Sequence, residues 1–181
     1  MRHAIVLLVV VAWAAGMVTT AAAETLVLQP SAAAGMTGEA DGAMDARLLL
    51  RFDLEGIPEG ALIQYAGLRL HDDSGVPWDA QFVPVVVAAL KGDWEASDDI
   101  SSLDWDARFT TARVLVTGAK RASRLHVTPI VDAWAKGTIP NHGFVAMIEE
   151  VADLQDVVPH FNAETLKPTL EIRYLLPQTD R

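Results

Sequence analysis

The sequence contains no cysteine, and only 7% of its residues are aromatic. Without a thiol, the chain can form neither a disulfide scaffold nor the lipid-modified cysteine of a lipoprotein. Basic residues are also scarce, because 14 lysines and arginines face 24 aspartates and glutamates, giving a formal net charge of −10. Such a surface repels phosphate backbones and anionic membranes, so we predict no nucleic-acid partner. It also repels acidic polysaccharides unless a local basic patch or a divalent cation intervenes.

Long hydrophobic runs are absent except near the N-terminus. A short basic start over 1–3 precedes an almost wholly apolar segment over 4–18, and small residues follow up to Ala23. This order is typical of a secretory signal peptide, and the apolar run is shorter than the roughly 20 residues that a membrane-spanning helix needs. We therefore predict a signal peptide over 1–23, a single domain over 24–181, a periplasmic or extracellular location, and no membrane insertion after cleavage.

Catalytic and metal-binding motifs are absent as well. The sequence has no Gly-x-Ser-x-Gly elbow and no phosphate-binding loop, and its histidines are scattered without a helical pair. We interpret the carboxylates within 39–45 as solvated loop charges, because their spacing does not match a known calcium loop. The carboxylates within 93–106 could suggest a cation site or a glycosidase pair, but we interpret them as solvated loop charges too, because proximity in sequence does not show the set separation in a cleft that acid/base catalysis requires. The sequence thus predicts a protein that is not an enzyme and has no catalytic residue, metal ligand or cofactor.

What is present is a series of alternating patterns. In the segment 47–54, Leu48, Leu50 and Phe52 fall on one face and charged residues fall on the other, which is the period of a half-buried strand. Only Leu49 breaks the alternation. Turn residues over 55–61 then lead to a second strand that ends near His71.

The second strand begins irregularly. Its apolar positions Ile63 and Ala66 are three residues apart, whereas a regular strand would place them two apart. We therefore predict a bulge near Gln64 and Tyr65, ahead of the regular part of the strand.

Further strands are predicted over 25–29, 83–89, 113–117, 144–148 and 167–174, and an alanine- and glycine-rich passage over 31–45 is predicted to be a loop. One short helix is predicted, with Thr128 as its cap, Pro129 in its first position and Trp134 on its apolar face, before Gly137 ends it. Strands without crossover helices predict an all-β fold, an antiparallel two-sheet sandwich with one short helix.

The order of several short motifs resembles the DNRLRE domain family. The matching positions between 47 and 174 are Leu50-Arg51-Phe52-Asp53-Leu54, Ile57-Pro58, Gly60-Ala61, Ile63, Ala66, Leu68-Arg69-Leu70, Trp94-Glu95, Trp105-Asp106, Val127-Thr128, Val131, Trp134, Gly137, Asn141, Gly143, Lys167-Pro168, Leu170, Ile172 and Tyr174. The resemblance implies a jelly-roll sandwich of a secreted microbial protein, related to a carbohydrate-binding module family and likened to TGF-beta propeptides. Read physically, most of these positions belong to the fold, and Trp94, Trp105 and Trp134 are predicted to pack in it.

Three residues are the candidate ligand-binding residues. Trp78 lies outside the matched positions, in a loop rich in glycine and proline, where an exposed ring could stack on a sugar. Tyr65 offers a second ring, and Arg69 offers hydrogen-bond donors. We predict an exported, non-catalytic binding module whose partner is a glycan. The alternative is a structural or assembly protein of the cell envelope that contacts another protein through the edges of its sandwich.

Overall fold

The computed structural model describes residues 23–40, 43–71, 82–99, 102–116, 122–148 and 160–176. Its elements in chain order are β1 (Ala23–Leu28), β2 (Ala32–Ala40), β3 (Ala43–Arg51), β4 (Leu62–His71), β5 (Phe82–Leu90), β6 (Trp105–Val116), β7 (Ala122–His126), α1 (Thr128–Ala135), β8 (Phe144–Ile148), α2 (Ala163–Leu166) and β9 (Thr169–Leu175). Neither helix in this part of the chain is long and apolar enough to cross a membrane.

The strands form two antiparallel sheets that pack together. One sheet has four strands in the order β1-β9-β4-β7, and the other has five in the order β2-β3-β8-β5-β6. Successive strands lie in different sheets, as in a jelly roll, except that β2 and β3, and likewise β5 and β6, are neighbours in sequence within the larger sheet. The predicted all-β sandwich is confirmed.

The core lies between the two sheets and contains the apolar positions that alternate along the strands. Leu48 and Leu50 of β3, Leu68 and Leu70 of β4, and Ile172 of β9 are completely buried there. The intervening positions of each strand project to the outer face of its sheet, so the period of two specifies which face packs inward. Leu170 and Tyr174 of β9 point inward together with Ile172.

Leu49, which breaks the alternation of β3, belongs to a second apolar cluster. This cluster covers the outer face of the five-stranded sheet and consists of Ala34, Met36, Leu49, Ala88, Leu90, Trp94 and Val145. The segment between β5 and β6 supplies Trp94, whose indole Nε1 donates to the carbonyl oxygen of His142 at 2.9 Å. The middle of the larger sheet is therefore buried on both faces.

The prediction of a loop over 31–45 is wrong. Residues 32–40 form β2, which pairs with β3 residue by residue from Ala32↔Arg51 to Ala40↔Ala43. Alanine and glycine carry too little side chain to show a hydrophobic period, so pairing with β3 determines this strand. Likewise, β6 begins at Trp105, well before the predicted start at 113.

The predicted helix exists, but its capping is different. In α1 the cap position is Val127, with no side-chain cap, and Thr128 is already helical. The Thr128 hydroxyl instead accepts a hydrogen bond from the backbone N–H of Ala66 at 2.7 Å, so it ties the helix to β4. The sequence also missed the second helix, α2, where the Asn162 side chain accepts from the backbone N–H of Thr165 at 2.9 Å.

Candidate functional site

The outer faces of the two sheets differ. On the larger sheet, Arg51 lies over the ring of Trp94 and Arg47 lies over the ring of Trp105, with Cζ 5.2 and 5.0 Å from the ring centroids. Trp94 is buried and Trp105 is partly buried against the second apolar cluster. These tryptophans pack on the sheet and do not form an exposed platform for a ligand. The outer face of the four-stranded sheet carries the candidate surface.

Strand register assembles a polar cluster on this outer face. In the β4–β9 ladder, Tyr65 pairs with Arg173, and Gly67 pairs with Glu171. In the β4–β7 ladder, Arg69 pairs with Arg124. Because directly paired residues project from the same face, these side chains meet although they are up to about a hundred positions apart in sequence. We call Arg69, Arg124, Arg173 and Glu171 the arginine cluster.

One carboxylate holds the arginine cluster together. The Glu171 side chain is only 8% exposed, and its Oε1 accepts from Nη2 of Arg173 at 2.8 Å and from Nε at 3.2 Å. Its Oε2 lies 3.6 Å from Nη2 of Arg124 and 4.0 Å from Nη1 of Arg69. Three cations thus share one anion.

The three arginine side chains remain partly exposed to solvent. The side chains of Arg69, Arg124 and Arg173 are 37%, 50% and 54% exposed. Each guanidinium carries about five N–H donors, whereas a carboxylate has about four acceptor sites, so Glu171 engages only a minority of the donors. The arginine cluster is a local positive patch on a protein whose net charge is −10.

The same arginines act on the carboxyl group. The hydrogen bonds from Arg173 lower the pKa of Glu171 below its ordinary value, against the opposing effect of burial, and the charges of Arg124, Arg173 and Arg69 lower it further. Glu171 therefore stays ionised at neutral pH and keeps the three guanidinium groups close together.

Tyr65 borders the arginine cluster because of a β-bulge. The β4–β9 register shifts between Ile63 and Tyr65, which confirms the predicted bulge. Without the extra residue, Tyr65 would share the inward face with Ile63. Instead its half-buried ring lies on the outer face, 5.6 Å from Cζ of Arg173 and 5.8 Å from the ring of His126.

Gly67 provides the space for this ring. A Cβ atom at Gly67 would lie 2.8 Å from Cζ of Tyr65 and would overlap its hydroxyl oxygen. The ring therefore lies across the strand backbone of β4, with arginine on one side and histidine on the other.

The predicted ligand-binding residues are placed as follows. Tyr65 and Arg69 lie on one face of β4, whereas Trp78 lies outside the described residues. Sequence reasoning missed Glu171, Arg124 and Arg173, because only the strand register shows that they meet. One signal was present: Glu171 and Arg173 are charged residues at alternate positions of the last strand, where charge on an outer face can be expected.

Glu171→Gln should lower the free energy of unfolding at pH 7, and this decrease should become smaller at acidic pH. The pKa of Glu171 is lowered in the folded state, so its ionised form contributes stability that is fully present above its ordinary value of 4.5. This contribution is lost as the pH falls through the folded-state pKa. Urea denaturation of both proteins between pH 7 and pH 3 measures the difference.

The exposed Glu59→Gln is the matched control and should change the free energy of unfolding by less than about 0.5 kcal/mol at any pH. A difference between wild type and Glu171→Gln that did not depend on pH would contradict the proposed role of the Glu171 charge.

The described side chains form no candidate metal centre. Among them, no group of three or more histidine, cysteine, aspartate or glutamate residues could hold a metal ion. The chain matches no protein-family model, and no curated protein shows significant sequence similarity to it.

Proposed function

We propose that this protein is an exported, non-catalytic carbohydrate-binding module of the DNRLRE type, and that it binds glycans on the outer face of the four-stranded sheet. The observation that carries the proposal is the arginine cluster beside the ring of Tyr65. The jelly-roll order of the strands supports the family assignment, since the resemblance implies that fold.

The chemistry of the cluster favours a glycan that carries carboxylate or sulfate groups. A guanidinium group binds such groups through paired N–H donors, and these charge-assisted bonds are the stronger class of hydrogen bond. An aromatic ring half-exposed on the same face can stack on the apolar face of a sugar. The chain as a whole, with a net charge of −10, repels acidic polymers, but the positive patch attracts them locally.

Arg124→Gln together with Arg173→Gln should weaken binding to an acidic polysaccharide by about tenfold or more, because each variant removes charge-assisted donors. The polymers are polygalacturonate, a sulfated galactan, and dextran as the neutral reference. Affinity electrophoresis or calorimetry measures the binding, which should weaken as the salt concentration rises.

Two variants serve as comparisons. Arg108→Gln makes the same charge change on β6, where its side chain is 78% exposed, and it should leave binding unchanged. Trp78→Ala tests the third predicted ligand residue. Wild-type binding that is lost only in Trp78→Ala would place the site in the loop instead of on the sheet face.

The same purified protein also tests the alternative function, an assembly role in the cell envelope. If the protein binds none of the neutral or acidic polymers, the carbohydrate-binding proposal is wrong. A stoichiometric protein partner, recovered from an envelope fraction in the absence of any glycan affinity, would then favour an assembly role in the cell envelope.

A further inference from the structure

His126 lies on the same outer face as the arginine cluster. It follows Arg124 by two positions on β7, so both side chains project from that face, and both residues are exposed. His126 pairs with Gly67 of β4, which in turn pairs with Glu171 of β9. The centroid of its ring lies 5.8 Å from that of Tyr65. A ligand that stacks on Tyr65 and pairs with the arginines therefore also lies next to His126.

The elements around His126 supply little negative charge. The strands β4, β7 and β9 contain one carboxylate, Glu171, which the three arginines hold and which lies two strand spacings from His126, roughly 10 Å. The sequence from 107 to 131, which includes most of β6 and the start of α1, contains no aspartate or glutamate. Further along α1, the carboxylate of Asp132 is paired with Lys136 at 2.6 Å. The anion that a charged imidazole would pair with must therefore come from a ligand.

The other charged and titratable groups near His126 are positive or distant. The three arginines of the arginine cluster are charged at any pH near neutrality, and the last charged residue of β6 is Arg113. His71 also lies on the outer face of β4, but it is four residues, roughly 13 Å, along the strand from Gly67. This separation exceeds the Debye length of about 8 Å at physiological ionic strength. His126 is therefore the histidine that acts at the ring of Tyr65.

The hydrogen bond of His126 suits both charge states of the imidazole. Its Nε2 lies 3.0 Å from the Thr128 hydroxyl, which accepts from the backbone N–H of Ala66. Beside a neutral imidazole, the hydroxyl can donate its proton to Nε2. A protonated Nε2 donates instead, and the hydroxyl proton can turn to the carbonyl oxygen of Ala66, 3.4 Å away. Protonation of His126 therefore leaves the contact between α1 and β4 intact.

We propose that His126 makes the arginine-cluster site sensitive to acid, so that an anionic glycan binds more tightly as the pH falls from about 8 to about 5.5. Histidine is the side chain that gains a positive charge over this range. Three arginines and one glutamate give the arginine cluster a net charge of +2, to which a protonated His126 adds one. By linkage, a bound anion favours the protonated imidazole, so binding takes up a proton. This inference rests on the proposed function and concerns the regulation of the same site.

Affinity electrophoresis of the exported chain with the sulfated galactan and with polygalacturonate, at about pH 8 and about pH 5.5, tests the inference. The wild type should bind about fivefold more tightly at the lower pH, because one added charge attracts the anionic group of the ligand at short range. His126→Gln should match the wild type at the higher pH and gain no affinity in acid. His126→Lys carries a permanent charge and should bind tightly at both pH values.

Calorimetry provides a readout that a purely structural role of His126 would not change. In two buffers of different ionisation enthalpy, the wild type should take up protons on binding near pH 6.5, whereas His126→Gln and His126→Lys should not. His142→Gln is the matched control, because His142 pairs with Asp93 beside the larger sheet, and it should keep the full pH dependence. Thermal unfolding midpoints verify that every variant is folded at both pH values.

The outcomes separate this inference from the proposed function. Equal affinity of the wild type at both pH values would overturn the inference, as would a gain in acid that persists in His126→Gln, and either result leaves the carbohydrate-binding proposal standing. If neither acidic polymer bound at either pH, both this inference and the assignment of an acidic glycan to the arginine cluster would be wrong.

Discussion

Gly143→Ala should reduce the free energy of unfolding by about 3 to 5 kcal/mol, because it combines left-handed backbone strain with overpacking. Gly143 immediately precedes β8 and has a φ of 98°. A Cβ atom there would overlap the carbonyl oxygen of Leu50 and lie 3.1 Å from its carbonyl carbon and 3.2 Å from Cα of Arg51. These atoms belong to the backbone of β3 and cannot turn away as a flexible side chain could.

Gly137→Ala is the matched control for this prediction. Gly137 also has a positive φ, 65°, but a Cβ atom there would meet nothing within 4 Å. We expect it to reduce stability by about 1 to 2 kcal/mol, from the left-handed conformation alone. Urea denaturation measures both variants, and equal losses would contradict the conclusion that the approach of β3 requires glycine at 143.

Trp134→Ala should reduce the free energy of unfolding by about 3 to 5 kcal/mol through lost burial and the cavity left behind. With eight residues, α1 is too short to be stable alone and depends on the contact of its apolar face with the sheets. Trp134 is 6% exposed, and its ring centroid lies 4.5 Å from that of Phe144. Urea denaturation again provides the measurement.

Two comparison variants make this prediction specific. The indole N–H of Trp134 is buried without an acceptor among the described residues, so Trp134→Phe removes an unpaired donor and should cost under about 1.5 kcal/mol. Trp78→Ala, at a position outside the described residues, should cost under about 1 kcal/mol. If Trp78→Ala were the more destabilising change, the division between core and ligand-facing tryptophans would be wrong.

Much of the sandwich could be predicted because large apolar side chains reveal the period of their strands. Leu48, Leu50 and Phe52 mark one buried face, and the spacing of Ile63 and Ala66 is enough to predict the bulge in β4. Where side chains are small, as in β2, the period is invisible and the prediction fails. Thr128 has the residue type of a cap, but its hydroxyl is used by a partner 62 positions away.

The candidate site was less predictable because it depends on register. Tyr65 and Arg69 could be proposed from one strand, since both are polar positions on the outer face of β4. Their neighbours Arg124 and Glu171 come from other strands, and a shift of one residue in pairing would move them to the opposite face. Alternation within a strand identifies the outward residues, but only the ladder between strands shows which of them meet.

The burial of the larger sheet on both faces affects how the protein opens under native conditions. Leu48 and Leu50 of β3 are buried on one face and Leu49 on the other, and the buried residues 144–146 of β8 also lie on both faces. The backbone amides in these strands can exchange with solvent only when the apolar clusters on both faces of the sheet separate. The free energy of that opening is close to that of complete unfolding. The four-stranded sheet carries an apolar cluster on its inner face only, so we expect its amides to exchange through smaller openings. We therefore expect the sheet that carries the arginine cluster to open locally at a lower free energy than the larger sheet.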